Sequence, residues 1–314
     1  AENLFLLGRR DEASKSYAAF LDAHAEHPNR LAATFRQAQI HHAEGRWAEC
    51  IETSAAIVAA DPKDSLYDQL PFMIGDSLFR QEKWEQAVEP LSKFLSKRVT
   101  TSDEETTVKT GANVDIALIQ LAVCHDRGDR KAAALAQLSI VINNYPDTTS
   151  QLPLALAEQG RLAYEIDDLA LARKALEQFR ELDTSENKLF SESAGKQRPR
   201  VNYYLGWVEA LEGKHPAAAA SFKAVVDAQA NHPLAPDAAL QHGIALFNAG
   251  SLEEASTQFQ AVLTDYTKHP KLARVVYHLG LSLARQKLYA EAAKQFQRIS
   301  EEFAESDFVD HALY

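Results

Sequence analysis

Residues 203–206 read Tyr203-Tyr204-Leu205-Gly206, followed by Gly213, Ala218, Phe222 and Val225. The phrase returns as Leu240-Gln241-His242-Gly243, with Gly250, Ala255, Phe259 and Val262. It returns again as Tyr277-His278-Leu279-Gly280, with Lys287, Ala292, Phe296 and Ile299. Gly206, Gly243 and Gly280 stand 37 residues apart. Self-similarity at a fixed period of this size marks a stacked repeat architecture. The stretch 200–299 therefore sets how the rest of the chain is read.

Working outward, each repeat can be indexed on a turn between a first helix, A, and a second helix, B. The turn residues are Gly8, Gly45, Glu82, Gly128, Asp167, Gly213, Gly250 and Lys287, spaced by 37, 37, 46, 39, 46, 37 and 37 residues. Five residues after the turn stands a small side chain: Ala13, Cys50, Ala87, Ala133, Ala172, Ala218, Ala255 and Ala292. Seven before it stands another: Ala38, Gly75, Gly160, Gly206, Gly243 and Gly280. Glycine inside a helix is unfavourable by about 0.5–1 kcal/mol relative to alanine, so its recurrence implies close helix packing. Leu121 breaks this series, which predicts looser packing in the fourth repeat. Nine and twelve residues after the turn come apolar pairs such as Leu91 and Phe94, or Phe259 and Val262, on one helical face. The second repeat is weaker there, with Ser54 and Ile57. Proline closes B helices at His27-Pro28, Asp61-Pro62, Tyr145-Pro146, His232-Pro233 and His269-Pro270. No alternation of useful length suggests a strand, so the expected class is all-α.

Glycine, glycine seven on, alanine five further, Phe or Tyr four after that, and proline ending helix B: this wording resembles the tetratricopeptide repeat family. The resemblance spans nearly the whole chain, as about seven repeats with flanking half-repeats. It implies a right-handed superhelical α-solenoid of antiparallel helix pairs, forming one domain over 1–314. The family period is about 34 residues. The extra length, nearly one helical turn, is expected in a longer helix B or a longer link. The links Tyr145-Pro146-Asp147 and Phe303-Ala304-Glu305-Ser306 are similar to those of bacterial cell-envelope members, the outer-membrane-assembly lipoproteins and Tol–Pal coordinator proteins. That similarity favours a periplasmic or envelope-associated location over a cytoplasmic one.

Composition bounds the rest. The chain has 314 residues, 46% hydrophobic and 25% charged, with formal net charge −11. An acidic chain without a basic stripe excludes a nucleic-acid partner. No apolar run is long enough for a transmembrane helix. Ala1 to Leu7 read as the end of a helix, and Ala312-Leu313-Tyr314 as the start of one; the expectation is a fragment of a longer protein, with any targeting signal outside it. The cysteines Cys50 and Cys124 read as small buried residues. Two polar insertions, at about 96–113 and 183–199, read as loops at the ends of B helices. Leu189-Phe190 in the second either pins that loop or meets a partner.

Neither a phosphate-binding loop nor a dinucleotide fingerprint, nucleophile elbow or zinc-protease motif is present. His24, His27, His41 and His42 read as structural or exposed, and His232 and His269 as helix-end residues favoured by the helix dipole. Carboxylate pairs such as Glu253-Glu254 and Glu301-Glu302 read as solvated faces. No enzyme activity, cofactor or metal is therefore expected. In the family that this chain resembles, helix A lines a concave groove. The resemblance nominates His42, Phe79, Tyr203, Trp207, Ile244, Phe247, Tyr277 and Leu281 for a protein or peptide partner. Tyr203 and Tyr277 read first as packing between repeats, Trp207 and Phe247 equally as packing or as anchors, and Trp47, Trp84 and Tyr289, each two residues after a turn, as inter-repeat packing. Chaperone-tail-binding members carry a Lys/Asn/Asn/Lys/Arg clamp. The slot six before the turn holds Gln39, Asp76, Ala122, Arg161, Trp207, Ile244 and Leu281, so no affinity for chaperone tails is expected. The expected partner segment is apolar or basic. The chain is expected to be monomeric or weakly self-associating through its terminal repeats. The alternative reading is a docking or regulatory arm of a larger enzyme or of a secretion or signalling protein.

Overall fold

The computed structural model describes all residues except 102–105, 110, 147, 185–186, 229–230 and 314. By internal contacts the chain falls into two compact units, Ala1–Ala155 and Leu156–Tyr314. The first contains α1 (Glu2–Leu6), α2 (Arg10–Ala23), α3 (Arg30–Ala43), α4 (Trp47–Ala60), α5 (Leu70–Arg80) and α6 (Trp84–Ser96). It continues with strands β1 (Val99–Thr101) and β2 (Thr106–Val108), then α7 (Val114–Arg127), α8 (Lys131–Asn144) and the start of α9 (Leu152–Glu165). The second holds most of α9, then α10 (Leu169–Asp183), α11 (Lys188–Ala194), α12 (Arg198–Leu211), α13 (His215–Ala228) and α14 (Ala235–Ala249). It ends with α15 (Leu252–Asp265), α16 (Leu272–Arg285), α17 (Tyr289–Glu302) and α18 (Phe308–Leu313). The architecture is an all-α repeat solenoid of A–B helix pairs.

One turn joins A to B throughout. The index residue has positive φ at Gly8, Gly45, Glu82, Asp167, Gly213, Gly250 and Lys287. Its N–H donates to the carbonyl three residues back, and the next N–H to the carbonyl four back from the index. Examples are Gly45 to His42 (3.1 Å) with Arg46 to His41 (2.8 Å), and Lys287 to Ala284 (2.9 Å) with Leu288 to Leu283 (3.0 Å). This Schellman closure satisfies carbonyls that the end of helix A leaves open, and it needs a left-handed residue.

The fourth repeat corrects the indexing. Gly128 has φ −92°, and the left-handed residue is Asp129, φ 55°. Asp129 N–H reaches Asp126 O at 3.0 Å and Arg130 N–H reaches His125 O at 2.8 Å, the same closure shifted by one residue. With that shift Ala122 takes the place seven before the turn and Ala134 the place five after it, both fully packed. Leu121 is an ordinary core residue, and the looser packing expected there does not occur.

The small positions form the seam between A and B. A Cβ on Gly243 would lie 2.6 Å from Phe259 Cε1, and one on Gly280 2.6 Å from Phe296 Cε1. On Gly206 it would lie 2.9 Å from the Phe222 ring, and on Gly75 2.7 Å from Leu91. Only a hydrogen fits there. Across the seam, Ala13, Cys50, Ala87, Ala134, Ala172, Ala218, Ala255 and Ala292 are all buried. Both cysteines are free and buried, as their spacing suggests; burial pushes the Cys124 thiol up to about 12.

The B helices are not lengthened: α4, α13, α15 and α17 each have 14 residues. The extra length beyond the usual period lies in the B-to-A links, such as 24–29, 61–69 and 266–271. Three of these links place a ring nitrogen as an acceptor. His27, His232 and His269 Nδ1 accept the N–H of Asn29 (3.0 Å), Leu234 (3.2 Å) and Lys271 (3.0 Å). Asp64, Thr149 and Ser306 do the same for Leu66, Gln151 and Phe308. The histidines thus have a helix-end role, but not the dipole role expected. Each starts the next helix as a side-chain acceptor, in the manner of an Asx turn.

Neither insertion is plain loop. In the first, the β-branched runs Val99-Thr100-Thr101 and Thr106-Thr107-Val108 pair antiparallel, Val99 opposite Val108. Residues 102–105 of that insertion lie outside the described residues. In the second, Asn187 Oδ1 accepts Phe190 N–H at 3.0 Å and opens α11. Phe190 is buried edge-on against Phe179, centroids 5.1 Å apart, so it pins the segment, while Leu189 is exposed. Arg198 donates twice to Asp183, at 2.7 and 2.8 Å, and closes the excursion.

Two substitutions test this framework. Gly243→Ala should destabilise the protein by about 1–2 kcal/mol, since overpacking against Phe259 outweighs the helix-propensity gain. Lys287→Gly should stabilise it by about 0.5–1 kcal/mol, since relief of a left-handed lysine exceeds the added chain entropy. Urea unfolding of both variants beside the parent measures the two differences.

Candidate functional site

In the first unit the A helices α3, α5 and α7 share a polar line. Asp76 on α5 is buried. Its Oδ2 meets His42 Nε2 from α3 at 2.9 Å. Its Oδ1 accepts from Gln120 Nε2 of α7 and from Arg80 Nε at 3.2 Å. Burial raises the Asp76 carboxyl, but the bonds from His42 and Gln120 and the Arg80 charge prevail and bring it below its ordinary value. An ionised carboxylate thus ties three successive A helices together. His42 also lies edge-on to Trp47 at 5.4 Å and Phe72 at 6.2 Å. Phe79 lies edge-on to Trp84 at 5.0 Å. Both nominated residues are half-buried and engaged.

Trp47 and Trp84 do pack between repeats, with a partner that was not foreseen. The Arg80 guanidinium stands 5.8 Å from the Trp47 ring, and Arg127 stands 5.8 Å from Trp84. Each arginine lies two residues before its turn, so the cation of one repeat covers the indole of the preceding one. Tyr289, at the equivalent place in the last repeat, is 67% exposed.

In the second unit the other six nominated residues lie on the A helices α12, α14 and α16, and all keep partial exposure. Tyr203 donates its hydroxyl to Asp237 Oδ2 at 2.8 Å, and Lys271 Nζ meets Asp237 Oδ1 at 2.6 Å. Burial and that carboxylate push the Tyr203 phenol up. Trp207 stands edge-on to Phe222 at 5.7 Å. Ile244 and Phe247 border the buried cluster around Phe259, and the Arg285 guanidinium is 4.5 Å from the Phe247 ring. Tyr277 packs against Phe308 at 5.1 Å and Phe296 at 6.0 Å. Leu281 is half-buried on α16. Tyr203 and Tyr277 thus pack between repeats while keeping an exposed edge.

His278 was not among the nominated residues, yet it joins this group. Its ring stacks on Phe259 at 5.8 Å and meets Phe247 at 6.1 Å and Tyr277 at 5.7 Å. Burial, with the nearby Arg274 charge, lowers its pKa to about 4. Its neighbourhood depends on which rings converge from three helices, which no spacing along the chain displays. The buried Glu209 accepts from Ser221 Oγ at 2.7 Å, and burial raises its carboxyl. His24 and His27 pack with Phe20, centroids 5.1 Å from each. His41 bonds Gln37 at 3.0 Å and Thr53 at 3.1 Å. Among the described residues, no group of three or more His, Cys, Asp or Glu could hold a metal ion. Within them no helix is long and apolar enough to cross a membrane.

The tetratricopeptide repeat profile matches residues 1–65, 157–236 and 240–307, and a second profile of the same description matches 117–148. The chain belongs to the tetratricopeptide repeat family. No curated protein matches it. Solved structures share the fold. The C-terminal part of a TPR repeat-containing protein from Cytophaga hutchinsonii superposes with a TM-score of 0.60 at 14% identity, over 89% of this chain and 99% of that one. A tetratricopeptide repeat protein from Parabacteroides merdae gives 0.51 at 15%, over 90% and 97%. YrrB, described as a TPR protein with an unusual peptide-binding site, gives 0.53 at 19%, over 71% and 96%. No catalytic family appears among these matches, and tetratricopeptide repeats serve as protein-interaction scaffolds.

The depressed His278 pKa sets a pH dependence. The folded state prefers the neutral ring, so the unfolded chain takes up its proton first. Stability is complete above about pH 6.5, the unfolded value, and is lost as pH falls toward about 4. The loss from this group should be about 1–3 kcal/mol. Melting of parent and His278→Phe at about pH 7.5 and about pH 4.5 should show a smaller acid-induced drop in the variant.

Proposed function

We propose that this chain is a non-catalytic scaffold that holds a protein or peptide segment along the A-helix face of its repeats. The observation that carries the reading is the set Tyr203, Trp207, Ile244, Phe247, Tyr277 and Leu281. All six keep partial exposure; Tyr203, Trp207, Ile244 and Phe247 pack on buried clusters, and Tyr277 packs on Phe296 and Phe308. Large side chains held in this way bury area on binding with little loss of rotamer freedom, as interface anchors do. In the first unit, considered by itself, His42 and Phe79 give α3 and α5 a face of the same kind. That YrrB, a protein of the same fold, is described as having a peptide-binding site supports the choice of ligand.

The partner segment is apolar or basic, given the anchors and the net charge of −11. We place the scaffold in a larger bacterial assembly at the cell envelope, on the wording of two helix links.

The test is affinity capture from the native organism, with the bound proteins identified by mass spectrometry, repeated with Trp207→Ala and Phe247→Ala. Partners should be lost or bind about tenfold more weakly, the loss of one anchor being about 1.4 kcal/mol or more. An unchanged bound set in both variants, each folded by circular dichroism, rules out the A-helix face.

A further inference from the structure

The short helix α5 leaves a groove on the other side of the first unit. It has 11 residues, where α7, α12 and α16 have 14 and α14 has 15. The chain spends the missing turn in the link 61–69, which folds as a short 3-10 turn, Ser65–Tyr67. Between α4 and α6, above the start of α5, lies an open groove of about 720 Å³. Its floor is apolar: Ile51, Ala55 and Val58 from α4, Leu70 and Ile74 from α5, and Phe94 from α6. Val58 is 50% exposed. Helix α4 carries no charge between Glu52 and Asp61. In the α6 wall, Pro90 has no N–H for the Gln86 carbonyl, and both residues line the groove.

The two walls differ in charge. The link presents Asp61, Asp64 and Asp68 with one cation, Lys63; α6 and the two residues after it present Lys93, Lys97 and Arg98 with one carboxylate, Glu89. Some of these are already engaged: Lys97 Nζ lies 2.8 Å from Asp68 Oδ1, and Asp61 pairs with Lys63. Lys93 is exposed on the rim. A rod with an apolar stripe and opposite charges on its flanks complements such a channel in one orientation. Parallel helical walls accept the ridges of a third helix, and the absent first turn of α5 leaves room for one.

We propose that this groove docks an amphipathic α-helix of a partner protein. The helix carries an apolar stripe flanked by basic residues facing Asp61 and Asp64 and by acidic residues facing Lys93. This surface is built on two B helices, a link and one side of α5, and it shares no residue with the anchors proposed on the A-helix face.

The probe is a fluorescein-labelled synthetic helix of about five turns, with leucines at i, i+3, i+4 and i+7, lysines along one flank and glutamates along the other. A second peptide of the same composition mixes lysines and glutamates on both flanks, so that neither direction of docking matches the walls. By fluorescence anisotropy the first should bind about tenfold or more tightly than the second, and Ala55→Glu should weaken it by a similar factor. Lys93→Glu should narrow the difference between the peptides, and Trp207→Ala should leave both unchanged. Circular dichroism confirms that each variant is folded. Absence of binding at millimolar peptide, equal binding of the two peptides, or indifference to Ala55→Glu overturns the proposal. A dimer of the protein abolished by Ala55→Glu, or binding of anionic phospholipid vesicles in place of the peptide, assigns the groove to another occupant and also overturns it. Loss of binding in Trp207→Ala would place the peptide on the A-helix face instead.

Discussion

Each repeat depends on one contact: a residue with little or no side chain in helix A, facing a large apolar side chain in helix B. Gly206 with Phe222, Gly243 with Phe259 and Gly280 with Phe296 leave no room for even a Cβ. The second repeat meets the same requirement from the other side, with Ala38 in helix A and the smaller Ser54 in helix B. Because the axes approach so closely, the positions five after the turn are buried along with the seam, and so are those twelve after it from the second repeat on. The left-handed turn is the second part of the constraint. It sets the phase of B relative to A, so the same faces meet in each pair.

That constraint explains what was legible in the sequence. Small residues and left-handed turns leave their mark on residue type, so the period, the all-α class and the core positions could be read directly. The fourth repeat shows the limit. Gly128 looked like the turn glycine because glycine favours positive φ, but Asp129 takes the turn, as aspartate can. The hydrophobic positions on both sides, Ala122, Ala134, Leu138 and Val141, carried the correct phase. Val99-Thr100-Thr101 and Thr106-Thr107-Val108 were too short to show strand periodicity, although their β-branched composition marks them.

The candidate site was less legible. Helix register located Trp207 and Phe247, but not what lies beside them. Asp76 was visible as an aspartate in an A helix, but its bonds to His42 and Gln120 join residues 34 and 44 apart in the chain. The cations over Trp47 and Trp84, and the rings around His278, are likewise products of stacking. The groove beside α4 follows from a helix that starts late, which is a matter of backbone length more than of residue type. The stack thus presents anchored aromatics on its A helices. On the B helices of the first unit it presents an apolar channel with charged walls.

A left-handed turn and a small-residue seam together set the register of every repeat. The most direct measurement is the unfolding free energy of Gly128→Ala and Asp129→Gly in urea. Gly128 is not left-handed, and a Cβ there would meet only the Arg130 guanidinium, the far end of a long side chain that pairs with Glu85 and can shift with it. Both variants should be at least as stable as the parent. A loss of about 1–2 kcal/mol in Gly128→Ala, with no gain in Asp129→Gly, would place the turn at Gly128 and contradict this register.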